Sequence, residues 1–472
     1  IQIAKLSGFS PIITTSSLTH TTDLKNLGAT HIIDRTLPHS ELIAQINSIL
    51  NGQAIKVAFD AISEADTQKV ALDLLATGGK LALTLPAIEK PEDKTVFFVV
   101  GLLRFGDNIP RLENLYTNYA SEWVKQGVIK QKALFLPSQG GDFYVGETQV
   151  PQPGPGEILI KVMAAGLNPS DWKNRKSAFF IPAYPAILGL DLAGDVEAVG
   201  EGVEEFKKGD RVFFQGEFGN RTAGFQQYAI GFAVTTARIP DGVSYDEAAA
   251  LPVALTAAYA GLGNPNPDGL GFTVPNSKEH EGKYAGEPIM VLGGATSVGQ
   301  LVIQIAKLMG FSPIITTASL SNAQELQAFG ADHILDRKLS NAEINTQLQT
   351  ILAGRPLKTV YDTVSSADTQ KLAMDIIVPG GQIVIVYLAT EKSTDDKRVN
   401  FVLGGLRMPP HVELLENLYH DVVSDWLASG VIKPNRVEIL PDGLNGIPEG
   451  LRRLEADEAS RVKLIARPQE TL

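Results

Sequence analysis

The segment IQIAKLxGFSPIITT occurs twice in this chain, at 1–15 and again at 303–317. Only the second copy follows a glycine-rich turn, VLGGATSVGQ at 291–300. The match runs on: LGATHIIDR at 27–35 answers FGADHILDR at 329–337, and LENLY followed by GVIK closes both copies, at Lys130 and Lys433. The first copy opens within a helical pattern, at Ile1 rather than Met, and stops where the second continues. The expectation is one complete unit, about 131–472, preceded by a truncated relic of its later part. Chemistry is to be sought in the second part.

At 472 residues the chain has room for roughly three domains of ordinary size. A net charge of −12 and a pI near 5.2 argue against nucleic acid and against an anionic membrane surface as partners. No apolar run approaches the ~18 residues of a membrane span. Zero cysteines exclude disulfides, thiolate nucleophiles and cysteine-ligated zinc. The seven histidines, His20, His31, His39, His280, His333, His411 and His420, form no i, i+4 pair and no H-E-x-x-H, so no metal site is expected.

From Lys132 short apolar runs alternate with Gly and Pro. KALFLP, EILIKVMAAG, DLAGDVEAVG, DRVFFQ and QQYAIGF read as strands of a compact β-rich domain over 131–256. Over 257–410 the rhythm becomes strand–helix–strand: PIMVLGG, then the apolar-periodic VGQLVIQIAKLMG, then SPIITTAS, NAQELQAFG stopped by Gly330, HILD, a helix near 342–352, TVYDTV, a helix near 367–377, and QIVIVYL. That alternation describes a doubly wound parallel (Rossmann) α/β sheet. The Gly-, Pro- and Asn-rich insert 264–286 reads as a surface loop. The tail 411–472 has a strand–helix–strand cadence and is expected to return to the β-rich domain. The first copy, 1–130, supplies the later strands but no first strand. In a sheet of order 3-2-1-4-5-6 that strand is central, so the first copy lacks both its keystone and its phosphate turn, and is expected to be non-catalytic.

The turn Gly293-Gly294-Ala295-Thr296-Ser297-Val298-Gly299 lies between a strand and a helix, where backbone N–H groups can face a pyrophosphate. Thr296 stands at the middle position, where the usual pattern has glycine. The next strand ends Thr316-Thr317-Ala318-Ser319, with no carboxylate before Glu325. NAD sites place an acid here to hold the ribose hydroxyls. Hydroxyls at Thr317 and Ser319 suit a 2′-phosphate instead, so the expected cofactor is NADPH, although no Arg or Lys sits in this turn.

Four stretches, PGPGEILIKVMAAGLNPSDWK, GLDLAGDVEAVGEGVEEFKKGDRV, AALPVALTAAYAGL and VLGGATSVGQLVIQIAK, make residues 131–472 resemble the medium-chain dehydrogenase/reductase superfamily. Within it the chain is similar to the zinc-free quinone oxidoreductase and enoyl reductase branch, especially fungal trans-acting enoyl reductases. The resemblance implies a GroES-like catalytic domain followed by a Rossmann domain. Where the zinc alcohol dehydrogenases of this superfamily carry a catalytic Cys, this chain has Asn168-Pro-Ser-Asp-Trp-Lys173; where they carry a His-Glu pair it has Leu190-Asp191. Alcohol oxidation needs a Lewis acid to stabilise the alkoxide. Reduction of a C=C conjugated to a carbonyl does not, because the charge spreads into an enolate. No Y-x-x-x-K is present to support a short-chain reductase.

The same resemblance puts Thr256 beside the nicotinamide and Lys173 near the mouth of the active site, where its ammonium could polarise a carbonyl; a solvated surface lysine is the alternative. Val364 and Ser365 fall where the family lays the cofactor ribose, and Leu403 and Gly404 in the segment closing over the nicotinamide. Asn168 reads as a turn-former, Tyr259 and Trp172 as core or rim, and Asn220-Arg-Thr222 as a glycosylation sequon of little weight. Phe179, Phe180 and Tyr184 suggest an apolar substrate. The implied activity is NADPH-dependent, metal-independent reduction of an enone, enoyl thioester or quinone in the cytoplasm. The alternative is a non-enzymatic NADPH-binding or structural paralogue whose extra half-domain mediates interactions; a third reading is two tandem genes joined. A homodimer or an internal pseudo-dimer is expected through the last Rossmann strand, 400–406, and its counterpart at 97–103.

Overall fold

The computed structural model describes residues 1, 4–5, 7–98, 130–405, 412–459 and 461–471. It divides into two compact units, Ile1–Ile129 and Lys130–Leu472. Most of 97–103, the end of 400–406 and the LENLY of the first copy lie outside the described residues, and with them the expected edge pairing.

In the first unit β1 (Ile13–Ser16) pairs in parallel with β2 (His31–Asp34), while β3 (Ile55–Asp60), β4 (Leu75–Leu83) and β5 (Thr95–Phe98) form a second parallel sheet. Two small cores form, Ile33 with Leu42, Ile46 and Leu50, and Leu72 with Leu75, Leu81 and Leu83, and Ile55 packs against both. Helix His39–Leu50 places Leu42, Ile46 and Leu50 at i, i+4, i+8, one apolar stripe toward its sheet.

The second unit begins with the β-rich domain. β6 (Lys130–Leu136) lies between β7 (Tyr144–Gln149) and β9 (Ala186–Ile187). β8 (Glu157–Gly166) and β10 (Asp191–Val199) centre a larger sheet with β11 (Arg211–Gln215), β12 (Tyr228–Phe232) and β13 (Thr236–Arg238). The parallel sheet follows: β14 (Ile289–Leu292), β15 (Ile314–Ala318), β16 (His333–Asp336), β17 (Thr359–Asp362), β18 (Gln382–Ile385) and β19 (Arg398–Phe401). Its order is β16-β15-β14-β17-β18-β19, parallel throughout. Every residue of β14 is buried, as expected of a central strand covered by helices on both faces. The tail then sends β20 (Val437–Ile439) and β21 (Lys463–Ala466) back to the first domain, where β21 pairs antiparallel with β8.

The insert 264–286 is more than a surface loop. Leu270 and Val274 are buried, and Phe272 and Tyr284 pack their rings on Phe311, at 5.3 and 5.1 Å between centroids. Aromatic residues this widely spaced have no period, so the sequence did not reveal the cluster.

Candidate active site

Helix Ser297–Met309 begins on the phosphate turn. Thr296 is its N-cap: its Oγ1 accepts from Gly299 N at 2.9 Å and donates to Thr363 Oγ1 at 2.9 Å. This explains the departure from glycine, since a cap hydroxyl is useful at that position. Gly293 has φ +84°, and a Cβ there would meet Val364 Cγ2 at 2.5 Å. A Cβ on Gly294 would lie 2.1 Å from Thr316 Oγ1, and one on Gly299 2.3 Å from Gly293 O. Ala295, Ser297 and Val298 complete the turn, and first-turn N–H groups have no acceptor within their own helix. The cradle therefore fits a pyrophosphate.

The threonines behind it serve the turn. Thr317 Oγ1 accepts from Gly293 N at 3.0 Å, and Thr316 Oγ1 donates to Val291 O at 2.7 Å. Of the strand-end hydroxyls expected to face a phosphate, Ser319 remains on the surface side, 3.0 Å from Ser321 Oγ. Arg337 N donates to Ala318 O at 3.0 Å, so exposed Arg337 and Lys338 leave the end of the neighbouring strand beside Ser319. The sequence hid these cations because parallel strands bring together ends far apart in the chain.

Val364, Ser365, Leu403 and Gly404 also follow the carboxyl ends of strands of the parallel sheet, where open α/β sheets bind ligands. After β17, Val364 is half-exposed, while Ser365 is buried at φ +55°, its N–H on Asp362 Oδ1 at 2.8 Å. Ser365 Oγ accepts from Val386 N at 2.8 Å, which ties β17 to the segment after β18. Burial pushes the Asp362 carboxyl up from the ordinary range. After β19 come half-buried Leu403 and Gly404, and Gln215 Nε2 donates to Gly404 O. A Cβ on Gly404 would touch that of Ala257 at 3.5 Å, next to Thr256.

Thr256 is fully buried in helix Pro252–Gly263, and its Oγ1 lies 3.0 Å from Tyr419 Oη, which donates to Pro252 O at 3.0 Å. Tyr419 belongs to LENLY, one of the repeated segments, and that repetition was the signal for it. Lys173 lies on helix Pro169–Ser177 with its Nζ 3.6 Å from the Tyr387 ring centroid and 5.7 Å from that of Trp172. It is half-buried, and desolvation lowers its pKa from the ordinary lysine value. A cation held on an aromatic face after β18 is not a solvated surface lysine.

The remaining aromatic and polar candidates separate by burial. Tyr259 is core, Trp172 packs against the β-rich core, and Phe179 is exposed while Phe180 stacks on Phe218 at 4.8 Å. Tyr184 is 37% exposed. Asn220 is exposed, and its side chain accepts from Ile187 N and donates to Pro185 O, both at 2.9 Å. Asp171 Oδ2 accepts from Asn168 N at 2.8 Å, its Oδ1 has no partner among the described residues, and burial foremost pushes its carboxyl up to about 7. The described residues contain no helix long and apolar enough to cross a membrane.

Comparison with known proteins follows this geometry. Residues 154–255 match the alcohol dehydrogenase GroES-like domain, and the zinc-binding dehydrogenase family matches twice, at 1–101 and 297–408. A trans-enoyl reductase of Gibberella fujikuroi is 30% identical over 357 residues, 71% of this chain and 98% of that protein. The chain belongs to the medium-chain dehydrogenase/reductase superfamily. It is an oxidoreductase of that type, in a family whose members bind nicotinamide cofactors. Its fold is that of a Pseudomonas syringae quinone oxidoreductase, 25% identical with a TM-score of 0.57 over 71% of this chain and 99% of that one. A Novosphingobium aromaticivorans alcohol dehydrogenase superfamily protein, 23% identical, gives 0.59 over 71% and 98%.

The metal in one family description does not fit these residues. Where zinc ligands would stand are Asn168, Leu190 and Asp191, and the Lys463 ammonium occupies the space between Asn168 and Asp191. No group of three His, Cys, Asp or Glu side chains suited to a metal is assembled among the described residues.

Proposed function

We propose that this medium-chain reductase uses NADPH to reduce a C=C conjugated to a carbonyl, in an enone or enoyl thioester, or a quinone. When bound, NADPH supplies a hydride. The Gly293–Gly299 turn would hold its pyrophosphate, and Ser319 with Arg337 and Lys338 offers a 2′-phosphate hydroxyls and cations where an NAD site would have an acid. The observation that carries the reductive reading is Lys173: a partly desolvated ammonium at the strand ends can stabilise negative charge developing on a carbonyl oxygen, and can pass it a proton. The relatives' name, trans-enoyl reductase, supports the same substrate class.

The test is NADPH consumption against a panel of enones, enoyl thioesters and quinones, with NADPH and NADH affinities titrated by fluorescence. Loss of a charge-assisted donor worth ~2–4 kcal/mol lowers kcat roughly thirty- to a thousandfold in Lys173→Ala, with NADPH affinity little changed. Tighter NADH than NADPH binding would sink the cofactor assignment. Wild-type rates in Lys173→Ala would remove the lysine from the chemistry.

A further inference from the structure

Lys463 is buried, 3% exposed, in a strand whose other residues, Leu464, Ile465 and Ala466, are fully covered. An ammonium in such surroundings must be paired and hydrogen-bonded. Its Nζ lies 2.6 Å from Asp191 Oδ2 and donates to Asn168 Oδ1 at 2.6 Å. Asn168 Nδ2 donates in turn to Asp191 Oδ2 at 2.9 Å, and Asp191 Oδ1 accepts from Val253 N at 2.6 Å. The passage for this side chain requires a glycine: a Cβ on Gly166 would lie 2.9 Å from Lys463 Cε and 3.0 Å from Asp191 Cβ.

The partners of this network are the starts of two helices. Asn168 immediately precedes helix Pro169–Ser177, which carries Lys173, and its side chain is drawn to Lys463 and Asp191. Val253 lies in the first turn of helix Pro252–Gly263, which carries Thr256. One ammonium, delivered by the last strand of the chain, is thus tied directly to one helix start and through Asp191 to the other. Stability alone does not call for this, since well-packed apolar residues of similar volume often serve as well as a buried ion pair.

We propose that Lys463, acting through Asp191 and Asn168, is a positioning residue that sets Lys173 relative to Thr256, in the place where zinc-dependent members of the superfamily hold their metal. Its catalytic meaning rests on the reductase reading above; the positioning itself does not.

The test cuts the strut at either end, with Lys463→Met and Asp191→Asn in the full chain. Asp191→Asn keeps both size and an acceptor for Val253 N, and it carries the test if Lys463→Met does not fold. The first readout is the 13C resonance of reductively dimethylated Lys173, assigned by its loss in Lys173→Arg and shifted by the ring current of Tyr387. The second is kcat with NADPH and crotonyl-N-acetylcysteamine, beside the NADPH Kd. In folded variants the Lys173 resonance should move, kcat should fall about tenfold to a hundredfold, and NADPH affinity should hold. The double variant should be no worse than the poorer single, because both cuts break one device. A lowered Tm with an unmoved Lys173 resonance and wild-type kcat would overturn the proposal and leave a merely structural pair. A wild-type chain that turns over none of the panel, yet shows the resonance move in the variants, would overturn the reductase reading and uphold the positioning.

Discussion

The same stretch of sequence is folded twice in this molecule, into one parallel sheet in the second copy and into two smaller ones among the described residues of the first. In the second copy β14 joins β15 on one side to β17 on the other. In the first copy the described counterparts of β15–β16 and of β17–β19 form two separate sheets. Local structure is nevertheless the same in both. Asp60 Oδ1 accepts from Ser63 N at 2.8 Å as Asp362 Oδ1 does from Ser365 N, and Ser63 holds φ +58° where Ser365 holds +55°. Gln68 bonds Ser63 O as Gln370 bonds Ser365 O. What differs is cover: Phe59 is 64% exposed, whereas its counterpart Tyr361 is fully buried, donating to Ala257 O at 2.6 Å. Turns and caps are thus encoded within a few residues, and a sheet only by the strand that joins its halves.

The largest effect should separate those two aromatic positions. Tyr361→Ala should destabilise the second unit by about 3–5 kcal/mol, as truncation of a buried aromatic side chain does. Phe59→Ala, at an exposed position, should change stability by less than about 0.5 kcal/mol. Urea unfolding of the two variants measures both, and equal losses would break the comparison.

Next comes the phosphate turn of the second copy. Gly294→Val places carbon against Thr316 Oγ1, where even a Cβ would stand 2.1 Å away. Overpacking costs about 1–3 kcal/mol, and with that cost falling on the turn itself NADPH Kd should rise roughly five- to a hundred-and-fiftyfold in a fluorescence titration.

A smaller, pH-dependent effect belongs to the unduplicated β-rich domain. Asp171, raised to about 7 chiefly by burial, keeps a proton between pH about 4 and 7 that the unfolded chain releases near the ordinary 3.8. The folded state then binds more protons, so this group lowers stability as pH rises through that window and no further above it. Asp171→Asn should gain Tm relative to the parent between pH 4 and 7, with the difference level at higher pH. The smallest effect is expected from removing the first copy: a chain beginning at Lys130 should keep NADPH affinity and turnover within about twofold. A marked loss of cofactor binding would make the first copy part of the site.

The sequence made the parallel sheet and the phosphate turn legible because both rest on short-range signals, apolar period and glycine spacing. The strand–helix alternation, the stop at Gly330 and the N-terminal turn of helix Ser297–Met309 are all of that kind. What it concealed depends on pairing across the chain. Tyr387 under Lys173, Tyr419 on Thr256, and Arg337 beside Ser319 are joined only when elements far apart in the chain pack together. Lys463 left one trace, a single charge in the apolar run VKLIA, whose meaning needed Asp191 and Asn168 from far earlier in the chain.

The return of β21 to β8 also bears on the order in which this protein can be made. Gly166 faces Ile465 and Ala165 faces Ala466, partners about 300 residues apart. Closing so long a loop adds little equilibrium cost, because that cost grows only with the logarithm of length. Time is the stronger constraint. At ~5–20 residues per second, a ribosome needs roughly 15–60 s to pass from one partner to the other. Through that interval the nascent β-rich domain shows an open edge at 165–166 and holds Asp191 without its ammonium. The cofactor domain can begin to fold as it emerges, but its neighbour is finished only when β21 arrives, so nascent chains at that stage present an unpaired sheet edge.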